Sequence, residues 1–220
     1  MPRPLTVGGV ELKPALRGWI HAIFAPIVFV AGLVLIAISG GGKVGLACAI
    51  FGLTGVMLFG VSGMYHRAYW PDRLRLLFKR LDHANIALVI AGTYTPLAIT
   101  LLEPAKARFL LWVIWLCALA VVLFRVLWTH APRWLYTPIY VVMGCLAVFY
   151  LGDFWRVSPV AAILVATGGV FYIVGAVFYG SKRPHLRPHI FGFHELFHVC
   201  TVVGFTMHYI AVTFAVVAAA

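Results

Sequence analysis

The chain has 220 residues, of which 63% are hydrophobic and only 10% charged, against about 25% charged in a soluble domain. A soluble chain this short cannot hide so much apolar side chain, so its solvent is lipid. The net charge of +11 would suggest nucleic-acid binding in a soluble protein, but the basic residues here sit in short breaks between apolar runs, with no basic stripe and no helix free to enter a groove, so no nucleic-acid partner is expected.

Residues 1–18, MPRPLTVGGVELKPALRG, have no apolar core of their own. They read as a cytoplasmic tail with no cleavable signal peptide, and the first apolar run directs insertion itself. Seven runs follow, at about 19–40, 44–66, 82–102, 107–128, 134–152, 158–180 and 190–217. Each is close to the ~20 residues that cross a bilayer. Only helices and closed barrels satisfy the backbone in lipid, and barrel strands are shorter and alternate. The expected fold is therefore all-α: one integral-membrane domain over 19–217, a bundle of seven transmembrane helices.

The breaks are short. GGGK (40–43) separates the first two runs, RAYWPDRLRLLFKR (67–80) forms the longest expected loop, and EPAKAR, THAPR, DFWRVSP and SKRPHLRPH follow. The third run starts abruptly at Asp82 and contains Pro96, a residue that often marks a kink. Trp19, Trp70, Trp128, Trp134 and Trp155 fall near run ends and read as interfacial anchors. Cys48, Cys117, Cys145 and Cys200 lie within the runs with no CxxC pair, and read as free thiols.

Orientation follows from the charge count. The tail, the 2–3, 4–5 and 6–7 breaks and Arg125 just before the 4–5 break carry 13 of the 17 Lys and Arg residues. The positive-inside rule then places the N-terminus in the cytoplasm and the C-terminus outside. In a bacterial cell this is a multi-pass protein of the plasma (inner) membrane.

Ionisable groups inside apolar runs are costly, and three clusters meet that description. Ser62 and His66, in SGMYH at the end of the second run, lie one turn apart on one helix face. Alone they are also compatible with a back-bonded serine and an interfacial histidine. Asp82, with His83 beside it, opens the third run, where an aspartate ordinarily caps the helix. HELFH, in the seventh run, places His194 and His198 side by side at i and i+4, the spacing a metal takes from one helix. Topology joins the three. The second run ends, the third begins and the seventh begins on the cytoplasmic side, with His198 roughly 12 Å into its run. All three clusters thus fall in one leaflet.

Three imidazoles suit zinc better than magnesium or calcium, which prefer oxygen. With His66, His194 and His198 as ligands a fourth position stays open, as in catalytic zinc sites. Zinc there would lower the pKa of a water toward ~7 and polarise a carbonyl. Asp82 is the candidate general base and Ser62 the group that steadies the water or a developing oxyanion. HELFH also fits HExxH, the zinc-protease motif in which Glu195 would be the base, but His66 is a ready third ligand.

Together SGMYH (62–66), LDHANIALVIAGTYTP (81–96) and HELFHVCTVVGFTMHY (194–209) resemble the bacterial hemolysin III-like proteins. These are relatives of the progestin and adiponectin Q receptors, in a superfamily that includes alkaline ceramidases. The resemblance implies a seven-helix fold with the N-terminus inside and zinc on His66, His194 and His198. It implies that Asp82 holds the zinc-bound water, with Ser62 beside it and Glu195 as a neighbour rather than a ligand. His21 matches a histidine often found in the first helix, while basic Lys13 and Arg17 stand where acidic and asparagine residues commonly precede it. His83 and His208 also match family positions. His208 lies roughly 15 Å beyond His198 along the helix and is expected to be a hydrogen-bonded histidine outside the site. His130, His185 and His189 fall in breaks and are expected to be solvated.

Three functions follow as expectations. The first is a zinc hydrolase of a lipid amide or ester bond, with membrane lipids as partners, supported by analogy with ceramidases. The second is a sensor or regulator of membrane state with a structural zinc. The third is cytolysis, for which the sequence offers neither a secretion signal nor an amphipathic pore-forming helix.

Overall fold

The chain is described by a computed structural model that covers residues 6–7, 10–11, 13–184, 186–187 and 189–219. Two-residue strands β1 (Thr6–Val7) and β2 (Val10–Glu11) pair antiparallel near the N-terminus. The rest is helical: α1 (Trp19–Ile38), α2 (Gly42–Arg67), α3 (Asp72–Leu101), α4 (Pro104–Leu127), α5 (Arg133–Cys145), α6 (Leu151–Val157), α7 (Pro159–Ser181) and α8 (Phe193–Ala219). With α5 and α6 taken as one broken span, seven helical segments among the described residues are long and apolar enough to cross a membrane. The protein is an all-α, multi-pass membrane bundle.

The helices are apolar on nearly all sides, as lipid-facing helices are. Ile23, Val30, Phe109, Trp112, Leu116 and Val177 are all exposed, so the outer surface is hydrocarbon against hydrocarbon. Association must then come from close packing and hydrogen bonds. The α1–α2 contact shows the packing term. Gly32 and Gly52 face each other, and a Cβ on Gly52 would stand 3.2 Å from the Gly32 Cα. About three turns nearer the site, a Cβ on Gly63 would come within 2.8 Å of the Ala22 Cα. Further aromatic packing joins α2 to α8, where Phe205 stacks on Phe51 at 5.0 Å and meets Phe59 edge-on at 5.1 Å.

α3 is the most enclosed span, buried almost continuously from His83 to Ala98. It starts ten residues before the expected Asp82, so most of the predicted 67–80 loop is helix. Hydropathy records the cost of placing Arg73, Arg75, Lys79 and Arg80 in lipid, but their backbone hydrogen bonds form equally well in the interface. The start signal is Pro71 followed by Asp72, whose carboxylate takes the Arg75 guanidinium at 2.8 Å. Asp82 is therefore not a cap: it lies about 15 Å into α3.

The fifth span is also unlike the single helix expected over 134–152. Leu146–Tyr150 tighten into a 3-10 turn between α5 and α6. The Tyr94 hydroxyl of α3 donates to the Gly144 carbonyl at 2.7 Å and to that of Met143 at 3.2 Å. A break of this kind survives in lipid only where freed carbonyls find such donors.

Candidate metal centre

His66 stands in the last turn of α2, one turn beyond Ser62, while His194 and His198 occupy the first two turns of α8. One ligand atom from each of the three imidazoles lies within 4.8 Å of the others. The Nε2 atoms of His66 and His194 are 3.2 Å apart. Two nitrogens bound tetrahedrally at 2.0–2.1 Å would be roughly 3.3 Å apart. The His66 Nε2 also lies 3.5 Å from Asp82 Oδ2. That nitrogen has a single proton or a single lone pair, so it cannot serve both neighbours with separate bonds. A cation between the imidazoles would accept a lone pair from each nitrogen and leave Asp82 beside it. All three ring donors are nitrogens of intermediate softness, a set that suits zinc. Ser62 and His198 are buried at this same end, and His66 and Asp82 are largely so.

Two contacts from the α1 side complete the surroundings. The His21 ring lies flat on that of His198, with centroids 3.7 Å apart and planes 6° from parallel. Arg17 forms an ion pair with the buried Glu195, whose other oxygen accepts the Gly192 N–H at 2.8 Å. Glu195 thus reaches back to the N-terminus of its own helix, the second half of a capping box. Residues 13–18 run across this end as a strap. Lys13 Nζ donates to the Ala68 carbonyl at 2.7 Å, and the Ala15 and Leu16 N–H groups donate to the carbonyls of His189 and Ile190 at 3.0 and 3.2 Å. Burial, and then the guanidiniums of Arg17, Arg67 and Arg75, push the Lys13 amine below its usual range.

From the triad a cavity of about 370 Å³ extends between α3, the fifth span, α7 and α8. Its polar end holds Ser62, His66, Asp82 and the α8 histidines, and its far end reaches Leu97 and His208. Asp82 and Leu97 are separated by roughly 22 Å of helix. Almost all of the intervening wall is apolar, with Ile86, Val89, Ile90, Val141 and Val165 among its side chains.

The other histidines separate clearly. His83 is buried, with Nδ1 at 2.7 Å from the Lys79 carbonyl, and its own carbonyl accepts the Tyr140 hydroxyl at 2.9 Å. His208 Nε2 bonds the Val165 carbonyl at 3.1 Å, away from the triad. His130 and His189 are exposed, and the expectation for His185 falls outside the described residues. The four cysteines are free thiols. Sequence reasoning did not single out Tyr94, Tyr136 or Tyr140, which line the cavity and build its wall. The available signal was a hydroxyl inside an apolar run rather than at its end, since a buried tyrosine needs a partner.

A family model described as haemolysin-III related matches residues 11–209. Hemolysin-3 of Bacillus cereus is 26% identical over 205 residues, covering 93% of this chain and 90% of that protein. A Hemolysin-3 homolog of Bacillus subtilis (strain 168) is 30% identical over 135 residues, covering 61% and 63%. The heptahelical transmembrane protein ADIPOR2 of Oryza sativa subsp. japonica is 31% identical over 156 residues, covering 64% and 68%. The chain belongs to the haemolysin-III related family, and it is similar to a plant heptahelical protein of the adiponectin-receptor type.

Proposed function

Starting from that family membership, we propose that the chain is a zinc-dependent hydrolase of a lipid amide or ester bond, working from the inner leaflet of the plasma membrane. The observation that carries this reading is the junction of the polar triad with the long apolar cavity. A cavity of about 370 Å³ is in the range of small-molecule sites. Its roughly 22 Å length exceeds half of the ~30 Å hydrocarbon thickness, about the depth of one leaflet's acyl chains. An acyl chain laid along Val89 and Val165 would bring its head to Ser62, Asp82 and the histidines.

His66, His194 and His198 would hold the metal. Zinc there would supply Lewis-acid polarisation of the scissile carbonyl and activate a water. Asp82, the carboxylate nearest the three rings, would accept the proton of the attacking water as general base. The Ser62 hydroxyl would donate to the carbonyl oxygen as charge develops on it. The apolar walls would exclude bulk water from both. Glu195 has no part in this scheme, because its carboxylate is engaged by Arg17 and Gly192.

The test is metal analysis of the purified protein followed by turnover of a panel of ceramides, lysolipids and diacyl lipids. The reading expects about one zinc per chain, and turnover that disappears in Asp82→Asn while zinc is retained. Zinc-loaded protein that leaves every lipid intact would overturn it.

A second reading makes the metal structural, in a sensor of membrane state. It is favoured by the position of the triad, which would tie the end of α2 to the start of α8. Chelation that lowers thermal stability, in a protein with no turnover, supports that reading. The cytolysin named in the Bacillus cereus relative is a third; dye release from vesicles containing the protein, absent without it, would support it.

A further inference from the structure

His21 is buried, and neither of its ring nitrogens has a hydrogen-bond partner among the described residues. A phenylalanine would fill the space without that penalty, so what the ring does here is done by its face and edge contacts and not by its nitrogens. One face of His21 covers His198 at 3.7 Å, and its ring meets Phe59 at 4.9 Å and 88°. It is therefore fixed by α2 and in turn restricts rotation of the His198 ring about its own bond to the backbone. That rotation decides where the His198 ligand nitrogen points.

Arg17 lies four residues earlier, in the lead-in to α1. It grips Glu195, the residue after His194. Gly18, between Arg17 and α1, has a φ of 80°, and a Cβ there would come within 2.8 Å of the Arg67 nitrogen and 3.0 Å of the His66 Cβ. The lead-in is thus seated directly on the end of α2 that carries His66. From that seat it holds α8 at two points, Glu195 and His198, on either side of one helical turn.

The geometry points to Arg17 and His21 as positioning residues that fix how α8 presents His194 and His198 to a metal. This rests on the metal-site reading above. Neither is a ligand: His21 is outside the group of rings whose donor atoms converge, and Arg17 acts through Glu195. Groups that orient ligands in this way commonly govern about 10–100-fold in metal affinity.

The experiment uses the full-length protein in detergent. Zinc affinity is measured by competition with a chelator, and the visible bands of the cobalt-substituted protein report ligand geometry. Arg17→Gln and His21→Ala are expected to weaken zinc about 10-fold or more and to shift the cobalt bands. Arg17→Lys keeps the charge and His21→Phe keeps the stacked ring, so both are expected to remain near wild type. If His21→Ala does not fold, His21→Leu, which also lacks a flat face, replaces it. Wild-type affinity and bands in Arg17→Gln and His21→Ala would overturn the positioning role while leaving the metal site intact. A loss in His21→Phe as large as in His21→Ala would overturn it too, by assigning the effect to the ring nitrogens. Wild-type protein that takes up neither zinc nor cobalt would overturn both this role and the metal site.

Discussion

Gly63→Ala adds one methyl group where two helices meet backbone to backbone. The new carbon would stand 2.8 Å from the Ala22 Cα, 2.9 Å from its nitrogen and 3.0 Å from its Cβ. Carbon atoms rest at about 3.5–4.0 Å. None of the three atoms can rotate away, so α1 must retreat by roughly 0.7–1 Å or tilt. Overpacking of this kind costs about 1–3 kcal/mol, equivalent to several degrees of melting temperature in a chain of this size. Ala22 follows His21, so the same retreat opens the stack on His198 and should weaken zinc binding as well. The control is Gly60→Ala, less than one turn away on α2, where an added Cβ meets nothing within 4 Å. Thermal unfolding in detergent should show Gly63→Ala melting below wild type and Gly60→Ala melting at or above it. Equal melting of the two variants would refute the close-packing account of the α1–α2 seam.

Removal of a ligand should appear in metal-induced stabilisation. With zinc at 100 times its Kd the wild type gains about 2.7 kcal/mol, whereas a His66→Ala variant bound 100-fold more weakly gains only about 0.4 kcal/mol at the same concentration. Differential scanning with and without zinc measures this, and equal stabilisation of both proteins would remove His66 from the ligand set. Tyr94→Phe deletes the donor to the Gly144 and Met143 carbonyls. It should cost about 0.6 kcal/mol, the average for interhelical bonds in membranes, and no more than about 1.7 kcal/mol, and unchanged melting would show that another donor takes over at the break. Tyr140→Phe, which loses the bond to the His83 carbonyl, should cost a similar amount and leave zinc affinity unchanged, as read by chelator competition.

The seven-helix architecture was legible because lipid enforces it: apolar length alone selects a spanning helix. What hydropathy cannot see is backbone continuity through charge. The stretch Asp72 to Leu81 carries four cations and one carboxylate among ten residues, and it is helix all the same. The break at Leu146–Tyr150 was hidden for the opposite reason. Its sequence is uniformly apolar, and the donor that meets the carbonyls beside it, Tyr94, is some fifty residues away on another helix.

The candidate ligands were legible for a different reason. An imidazole in an apolar run has few satisfactory environments, so His194 and His198 stood out as a pair, and His66 joined them once topology placed it in the same leaflet. Their convergence needed only the direction of each helix. The support around them was invisible, because Arg17 looks in sequence like one more positive-inside charge, and nothing local pairs it with Glu195.

HELFH shows how far one motif can be ambiguous and how contact chemistry resolves it. In HExxH proteases the glutamate must face the metal held by its flanking histidines. Here the same five residues begin a helix, and Glu195 sits at its third position, where a carboxylate can reach back to the exposed N–H groups. It takes the Gly192 N–H at 2.8 Å and the Arg17 guanidinium. Both interactions stabilise the ionised carboxylate where it is, and both would have to break before it could turn toward the histidines. Asp82 is engaged only by neighbours within the site, and lies 3.5 Å from His66 Nε2. With Glu195 so engaged, Asp82 is the carboxylate left beside the histidines, which supports the general-base role proposed for it, while Glu195 closes the N-terminus of α8.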